Sequence, residues 1–212
     1  MKKIILLGNG SFSTEVADLL EDSQDYRVTG FATNQNKSSF EPELIGLPVH
    51  WVEELIALKE SHSMLGAVGT TRRLAFTRQV EELGGRFFCF VHPLARVSTR
   101  AELGAGVLIS PGALISSYTA IGRHTLVNRA ASIGHHCEIG HHCSIGPGVT
   151  IGGHCRIGSQ VFFGIGAVVR NGVTIGNGAV VGVGAVVVGD VPAGCQVVGV
   201  PARVVKQNIE PL

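Results

Sequence analysis

The chain has 212 residues, 45% of them hydrophobic and 16% charged, which is enough for one large domain or two small ones. Lysine plus arginine number 17 against 16 acids, so charge offers no reason to expect nucleic acid or a membrane surface as a partner. The opening apolar run, Ile4 to Leu7, is too short for a signal-peptide core, no stretch is long enough to span a bilayer, and the five cysteines make an odd count, so the expectation is a reduced, cytoplasmic protein.

Residues 2–7 read as a buried strand. Gly8-Asn9-Gly10-Ser11-Phe12-Ser13 is a turn, with Ser13 placed to cap a helix over Thr14 to Asp22. A second strand follows over Arg27 to Ala32, then a polar loop from Thr33 to Pro42. Val52 to Glu60 reads as a helix and Met64 to Val68 as a third strand, followed by Gly69. Arg72 to Leu83 is a further helix, stopped by Gly84-Gly85, and Arg86 to Phe90 a fourth strand. Alternating strand and helix predicts a small parallel sheet with helices on its faces, a Rossmann-like α/β domain over residues 1–90.

The Gly8–Ser13 turn has the outline of a nucleotide-binding turn. Ser13 replaces the last glycine of a dinucleotide fingerprint, and Ala32-Thr33-Asn34 supplies no acid after the second strand. It is a weak NAD motif. Its backbone N–H groups at a helix start still suit a phosphate, and a tight turn without a ligand fits the same residues.

From Val91 an aliphatic or aromatic residue returns every sixth position, through Ile109, Ile133, Ile145 and Phe163 to Val187, for seventeen hexads without a phase break. Gly usually follows it, and a small residue such as Ala113, Ala131, Cys137 or Cys143 stands four positions on. Such a period marks a repeat architecture. Six residues suit a short strand and a corner. Positions i+4 and i+6 share a face and both point inward, and Gly relieves the corner backbone. Three sides of six close a triangular coil of about 18 residues, stacked at roughly 4.8 Å. Residues 91–212 are therefore expected to form a β-solenoid, with a non-catalytic solenoid binding protein as the alternative.

The Gly-rich start, Val91-His92-Pro93, the hexads, Gly134-His135 and the closing Gly199-Val200-Pro201-Ala202-Arg203 occur together in one order. In this the chain resembles the bacterial hexapeptide-repeat sugar acetyltransferases, both the sialic-acid O-acetyltransferases and the nucleotide-amino-sugar N-acetyltransferases. The resemblance implies that the solenoid is a left-handed parallel β-helix. It also implies an acetyl-CoA cosubstrate, a nucleotide-linked amino sugar as acceptor, a homotrimer with sites between neighbouring helices, and a place in surface-glycan synthesis. By family position, Gly10, Ser11, Phe12, Thr33, Asn34 and Gly69 hold the acceptor, while Ser144, Ile165 and Val183 border acetyl-CoA. Thr33 and Asn34 stand where uridine-sugar relatives often carry acids, so the nucleotide, or N- against O-acetylation of a sialic-acid-like sugar, stays open.

Acetyl transfer from a thioester needs a base for the attacking amine or hydroxyl, and neutral histidine serves near pH 7. Five of the nine histidines lie between Ile133 and Arg156. His135 matches the family's catalytic histidine and is expected to be the base. His136 follows it where relatives commonly carry an acid, and two adjacent imidazoles resist double protonation. His124, His136, His142 and His154 share hexad position i+3. His124, His141, His142 and His154 are expected to be polar corner residues that hydrogen-bond across the trimer. No metal is expected, because Cys137 and Cys143 point inward and the histidines outward. A zinc site with histidines from two chains, as in the hexapeptide-repeat carbonic anhydrases, remains the alternative.

Overall fold

The structure is a computed structural model, and it describes residues 1–35 and 41–212. The opening elements are β1 (Lys2–Leu7), α1 (Ser11–Glu21), β2 (Tyr26–Thr33), β3 (Glu43–Leu44) and β4 (Leu47–Trp51). A 3-10 turn, Val52–Glu54, runs into α2 (Leu55–Leu58), followed by β5 (Ser63–Gly66) and α3 (Arg73–Glu82). The sheet order is β3-β4-β2-β1-β5, parallel except for the β3–β4 pair. β1 alternates between two cores. Ile4 and Leu6 pack with Val16 and Leu20 of α1, while Ile5 and Leu7 pack with Leu55, Phe76 and Val80 of the other helices. The sheet is thus covered on both faces, which is why β1 is apolar from Ile4 to Leu7.

Several expectations shift by local chemistry. α1 begins at Ser11, with Gly10 as its N-cap and no side-chain cap. Ser13 is buried in the first turn, and its Oγ donates to the Ala67 carbonyl at 2.9 Å, tying α1 to the end of β5. The β3–β4 hairpin is not in the sequence reading. Its turn, Ile45-Gly46, holds positive φ at both residues (46° and 76°) without the Asn-Gly or Asp-Gly signal that usually announces such turns. The expected Val52–Glu60 helix shrinks to the 3-10 turn and one α turn. The expected fourth strand reduces to a single bridge, Phe87 to Met64. By Phe90 the backbone is already bonded to Val107, inside the coil. Of the expected polar loop, residues 36–40 lie outside the described residues.

The hexads form seventeen two-residue strands, from Phe90–Val91 to Val186–Val187, each ending on the repeated apolar residue. Each pairs in parallel with strands eighteen residues away, as Ile133 pairs with Ile115 and Ile151. The result is three parallel sheets, typical of a left-handed β-helix. A first face carries Ile115, Ile133 and Ile151; a second carries Ile121, Ile139 and Ile157; a third carries Ile109, Val127, Ile145 and Phe163. Ile133, Ile145, Phe163 and the small residues Ala131, Cys137 and Cys143 are buried in one column. Val91 is exposed and Val97 and Leu103 only partly covered, because no coil lies beneath the first one.

The corners work differently from expectation. The left-handed backbone angle falls at i+3, where Tyr118, His124, His136, His142 and His154 hold φ between 54° and 59°. Histidine is among the non-glycine residues that tolerate this region best. The glycine at i+1 serves stacking instead: a Cβ on Gly122 would sit 2.6 Å from the Gly140 carbonyl carbon, and one on Gly134 2.5 Å from the Gly153 nitrogen.

The α/β sheet docks on the third face. There Phe90, Leu108 and Leu126, the outward residues of three stacked strands, join the core of α1 and β1. His92 Nε2 meets Asp22 at 2.9 Å and Arg129 Nη1 meets Glu15 at 2.7 Å along the same seam.

Candidate active site

Three corners separate three faces, so the prism has three edges, and the histidines and clefts are shared out among them. The edge from second to third face is closed by α3. His124 Nε2 lies 3.0 Å from Glu81 Oε1, and His142 Nε2 lies 2.8 Å from Thr77 Oγ1. The two rings stack at 4.7 Å, and Phe87 meets His124 edge-on. Both histidines are buried. Burial, followed by the neighbouring charges of His124 and Arg73, pushes His142 down to about 3. Burial also lowers His124 against the raising effect of Glu81. These two residues therefore join the parts of one chain, and the expectation that they bond across a trimer is overturned for them.

Arg73, at the start of α3, is almost wholly buried. Its guanidinium donates to the carbonyls of His124 (2.9 Å), Thr70 (2.6 Å) and Cys143 (2.5 Å) and to Ser144 Oγ (2.7 Å). Burial lowers it to about 9, so it stays charged at neutral pH. Nothing in the sequence singles out Arg73, since an arginine beginning a polar helix gives no sign of burial. Ser144, expected beside acetyl-CoA, here accepts that guanidinium; it is buried and also edges a cleft.

The six residues expected to hold the acceptor do converge. Gly10, Ser11, Phe12, Thr33, Asn34 and Gly69 line one cavity. It opens at the carboxyl ends of β1, β2 and β5, where β2 and β5 flank β1 on opposite sides, the usual crevice of an open α/β sheet. Gly8 makes the close turn there: at φ 133° its absent Cβ would fall 2.6 Å from Ser13 Oγ. Among the described residues, no charged side chain lines the cavity. Asn34 Nδ2 donates to Gln79 Oε1 at 3.1 Å, and Thr33 Oγ1 accepts from the Gln35 N–H. The first residues of α1, Ser11 and Phe12, border this space, and a helix start leaves N–H groups free for an anion.

Phe12 and Gly69 also belong to a second cleft, which runs onto the edge between the third and first faces. It carries Ser144, Gly146, Pro147, Phe163 and Ile165. Ile165 and Val183 occupy successive coils of this edge, both exposed. The structure thus brings the expected acceptor residues next to Ser144 and Ile165.

His135 and His136 stand elsewhere, on the edge between the first and second faces, both exposed. Within one chain the whole first face separates them from Ile165 and Val183. His135 Nδ1 and His136 Nδ1 are 3.1 Å apart. His154, one coil on, stacks on His136 at 5.0 Å and meets His135 edge-on at 4.9 Å. Tyr118 continues the column on the other side of His136, and Arg100 lies over Tyr118. The spacing Arg100, Tyr118, His136, His154 is a steady eighteen, a signal in the sequence that the reading used only for the histidines. Gly153 makes room for His135: a Cβ there would come 3.0 Å from the His135 ring.

The described residues contain no helix long and apolar enough to cross a membrane. Residues 118–153 match the family model described as bacterial transferase hexapeptide (six repeats). No curated protein sequence matches the chain. Among solved structures, PerB from Caulobacter crescentus, in complex with CoA and GDP-perosamine, is similar over 97% of this chain and 98% of its own, at 29% identity and a TM-score of 0.87. The acetyltransferase domain of PglB from Neisseria gonorrhoeae, in complex with acetyl coenzyme A, is 29% identical over 96% of this chain and 99% of its own, with a TM-score of 0.86. WeeI from Acinetobacter baumannii is 27% identical over 97% of this chain and 100% of its own, with a TM-score of 0.85. The chain thus shares its fold end to end with these sugar acetyltransferases and carries the transferase hexapeptide repeats, and so resembles acetyl-CoA-dependent acetyltransferases.

Proposed function

We propose that the protein transfers the acetyl group of acetyl-CoA to the amino group of a nucleotide-linked amino sugar, with His135 as general base. The observation that carries this reading is the junction of two clefts at Phe12 and Gly69. One opens on the phosphate-suited start of α1, and the other runs along the coil beside Ser144 and Ile165. PerB, similar over nearly the whole length, is solved with CoA and a GDP-linked sugar together. In the reaction the sugar amine attacks the thioester carbonyl and His135 takes its proton. The C–S bond then breaks, and CoA leaves as the thiol on taking the proton held by His135. Backbone N–H groups of the corners are the donors available to the transient oxyanion. His136 meets His135 through their Nδ1 atoms and fixes the ring it faces.

His135 and the acceptor cavity lie on different edges of one prism, so a working site needs a second copy to bring its own first-to-second edge alongside. This supports a closed homotrimer, in which three copies complete three sites. The uncharged lining at Thr33 and Asn34 favours recognition of the nucleotide by amide and hydroxyl groups. The test is release of CoA thiol with a panel of GDP-, UDP- and dTDP-linked amino sugars, alongside sialic acid. Turnover with an amino-sugar nucleotide supports the assignment; no turnover with any of them, together with no CoA binding, overturns it. Light scattering of the same preparation tests the trimer.

A further inference from the structure

The sequence reading treats His154 as a corner residue apart from the base. The structure instead brings it to His135 and His136, and one ring nitrogen from each of the three lies within 4.8 Å of the others. We propose that this triad binds a late first-row divalent cation of the zinc type, and that its occupation takes His135 out of base chemistry. The second half rests on the function proposed above; the first does not.

The fold holds the three ligands without backbone rearrangement. His136 and His154 occupy the same hexad position one coil apart, both in the left-handed conformation (φ 54° and 58°), so their rings leave the edge in the same direction. The His154 N–H bonds the His135 carbonyl at 2.9 Å, which fixes the step between coils. The space left by Gly153 lets the His135 ring lie toward His154. Three imidazoles on one zinc ion stand about 3.3 Å apart, given Zn–N bonds of about 2.0–2.1 Å and tetrahedral geometry. The His135–His136 nitrogen pair, at 3.1 Å, already meets that separation. His154 has to close the remainder by side-chain rotation, which its exposure allows.

The donor set selects the cation. Three neutral nitrogens with no carboxylate among them suit zinc, cobalt or nickel and do not suit calcium or magnesium, which take oxygen. Three ligands also leave a coordination position open to solvent. A lone pair given to the metal cannot accept a proton from the sugar amine, so a bound cation and an active base exclude each other at His135. Because the pairing is with imidazole alone, the site empties under a chelator.

Metal-stripped protein is titrated with ZnCl2 by calorimetry and with CoCl2 by visible absorption. The expected result is one cation per chain with ligand-field bands of nitrogen-bound cobalt. His154→Gln should weaken binding by more than about 100-fold, since losing even an outer-shell partner costs 10–100-fold. Its metal-free thiol release should stay within about twofold of wild type, because His154 takes no part in the transfer. Stoichiometric zinc should suppress wild-type turnover, and a chelator should restore it, while His154→Gln should be indifferent. No binding by the wild-type chain, or equal binding by His154→Gln, overturns the site. Zinc that binds through His154 and leaves turnover unchanged, or raises it, overturns the inhibitory half. Binding that depends on His154 in a protein with no acetyl transfer keeps the site and removes only the function proposed earlier.

Discussion

His142 offers the sharpest physical test of how the two parts of the chain are joined. Its ring is buried under α3, bonded to Thr77 and stacked on His124, and burial pushes it down to about 3. In the unfolded chain an imidazole titrates near 6.5. The folded value is the lower one, so between about 6.5 and 3 the unfolded chain takes up a proton that the folded chain refuses. Stability is full above 6.5 and is lost as pH falls through that window. At pH 5 the cost approaches about 2 kcal/mol, from about 1.36 kcal/mol for each pH unit below the free imidazole. Allowing for solvent at the ring's edge, about 1–2 kcal/mol is expected from this one residue. Urea unfolding at pH 7.5 and pH 5.0, at one protein concentration, measures it. His142→Gln keeps an amide for Thr77 and has nothing to titrate. Wild type should lose about 1–2 kcal/mol more than the variant between the two pH values. Equal losses would refute the claim that a neutral His142 holds α3 to the coil.

Three further outcomes are expected. His135→Ala should lower kcat by about 10²–10⁴, the usual worth of a general base, with CoA binding by calorimetry unchanged; a loss under tenfold removes the role. Gly153→Ala places a methyl 3.0 Å from the His135 ring and should cost about tenfold in kcat with little change in Tm, since displaced catalytic groups lose rate before stability; an unaltered kcat shows that the ring's present position is unimportant. Arg73→Lys keeps the charge but loses the planar fork that reaches four acceptors. It should cost about 2–4 kcal/mol in urea unfolding and raise the acceptor KM through the Gly69–Thr70 wall; full stability in the variant refutes the clamp.

The coil was legible because its signal repeats. One misread hexad among seventeen does not change the period, and inward residues must be apolar wherever coils stack. The alternation of β1 with its helices was legible for the same reason, through Ile4 to Leu7. What escaped is what depends on a single contact. The Ile45-Gly46 turn carries little local signal, and β3 survives only because β4 lies beside it. Arg73 looks like a surface residue until Cys143 and Ser144, seventy residues later, are laid against it. His124 and His142 show the limit most plainly. Their spacing of eighteen correctly stacked them, but only the position of α3 decides that they face Thr77 and Glu81 in the same chain. The acceptor residues were reached through resemblance, and the cavity brings all six together; the same resemblance could not say on which edge each coil residue would fall relative to His135.

The allocation of histidines to edges follows from a constraint the repeat imposes. Position i+3 must hold a left-handed backbone, which most residues resist and glycine or histidine accepts. A corner that needs only clearance takes glycine, as at Gly148, Gly166 and Gly184 on the edge beside the second cleft. Among corners that carry a side chain, histidine stands at His124, His136, His142 and His154, and Tyr118, Ala130 and Gln160 hold the same angle. On the edge facing α3, His124 and His142 are buried and serve as mortar, with His142 held far below its usual titration range. On the first-to-second edge the same residue at the same backbone angle is exposed and stacked beside His135. Identical local geometry therefore gives two different chemistries, and the presence or absence of a covering helix chooses between them. If His135 is the base, its exposed edge, one face away from the cleft, needs a second copy to supply that cleft. That is why the catalytic reading and the oligomeric reading stand or fall together: a monomer in solution that still turns over acetyl-CoA at wild-type rate would break both.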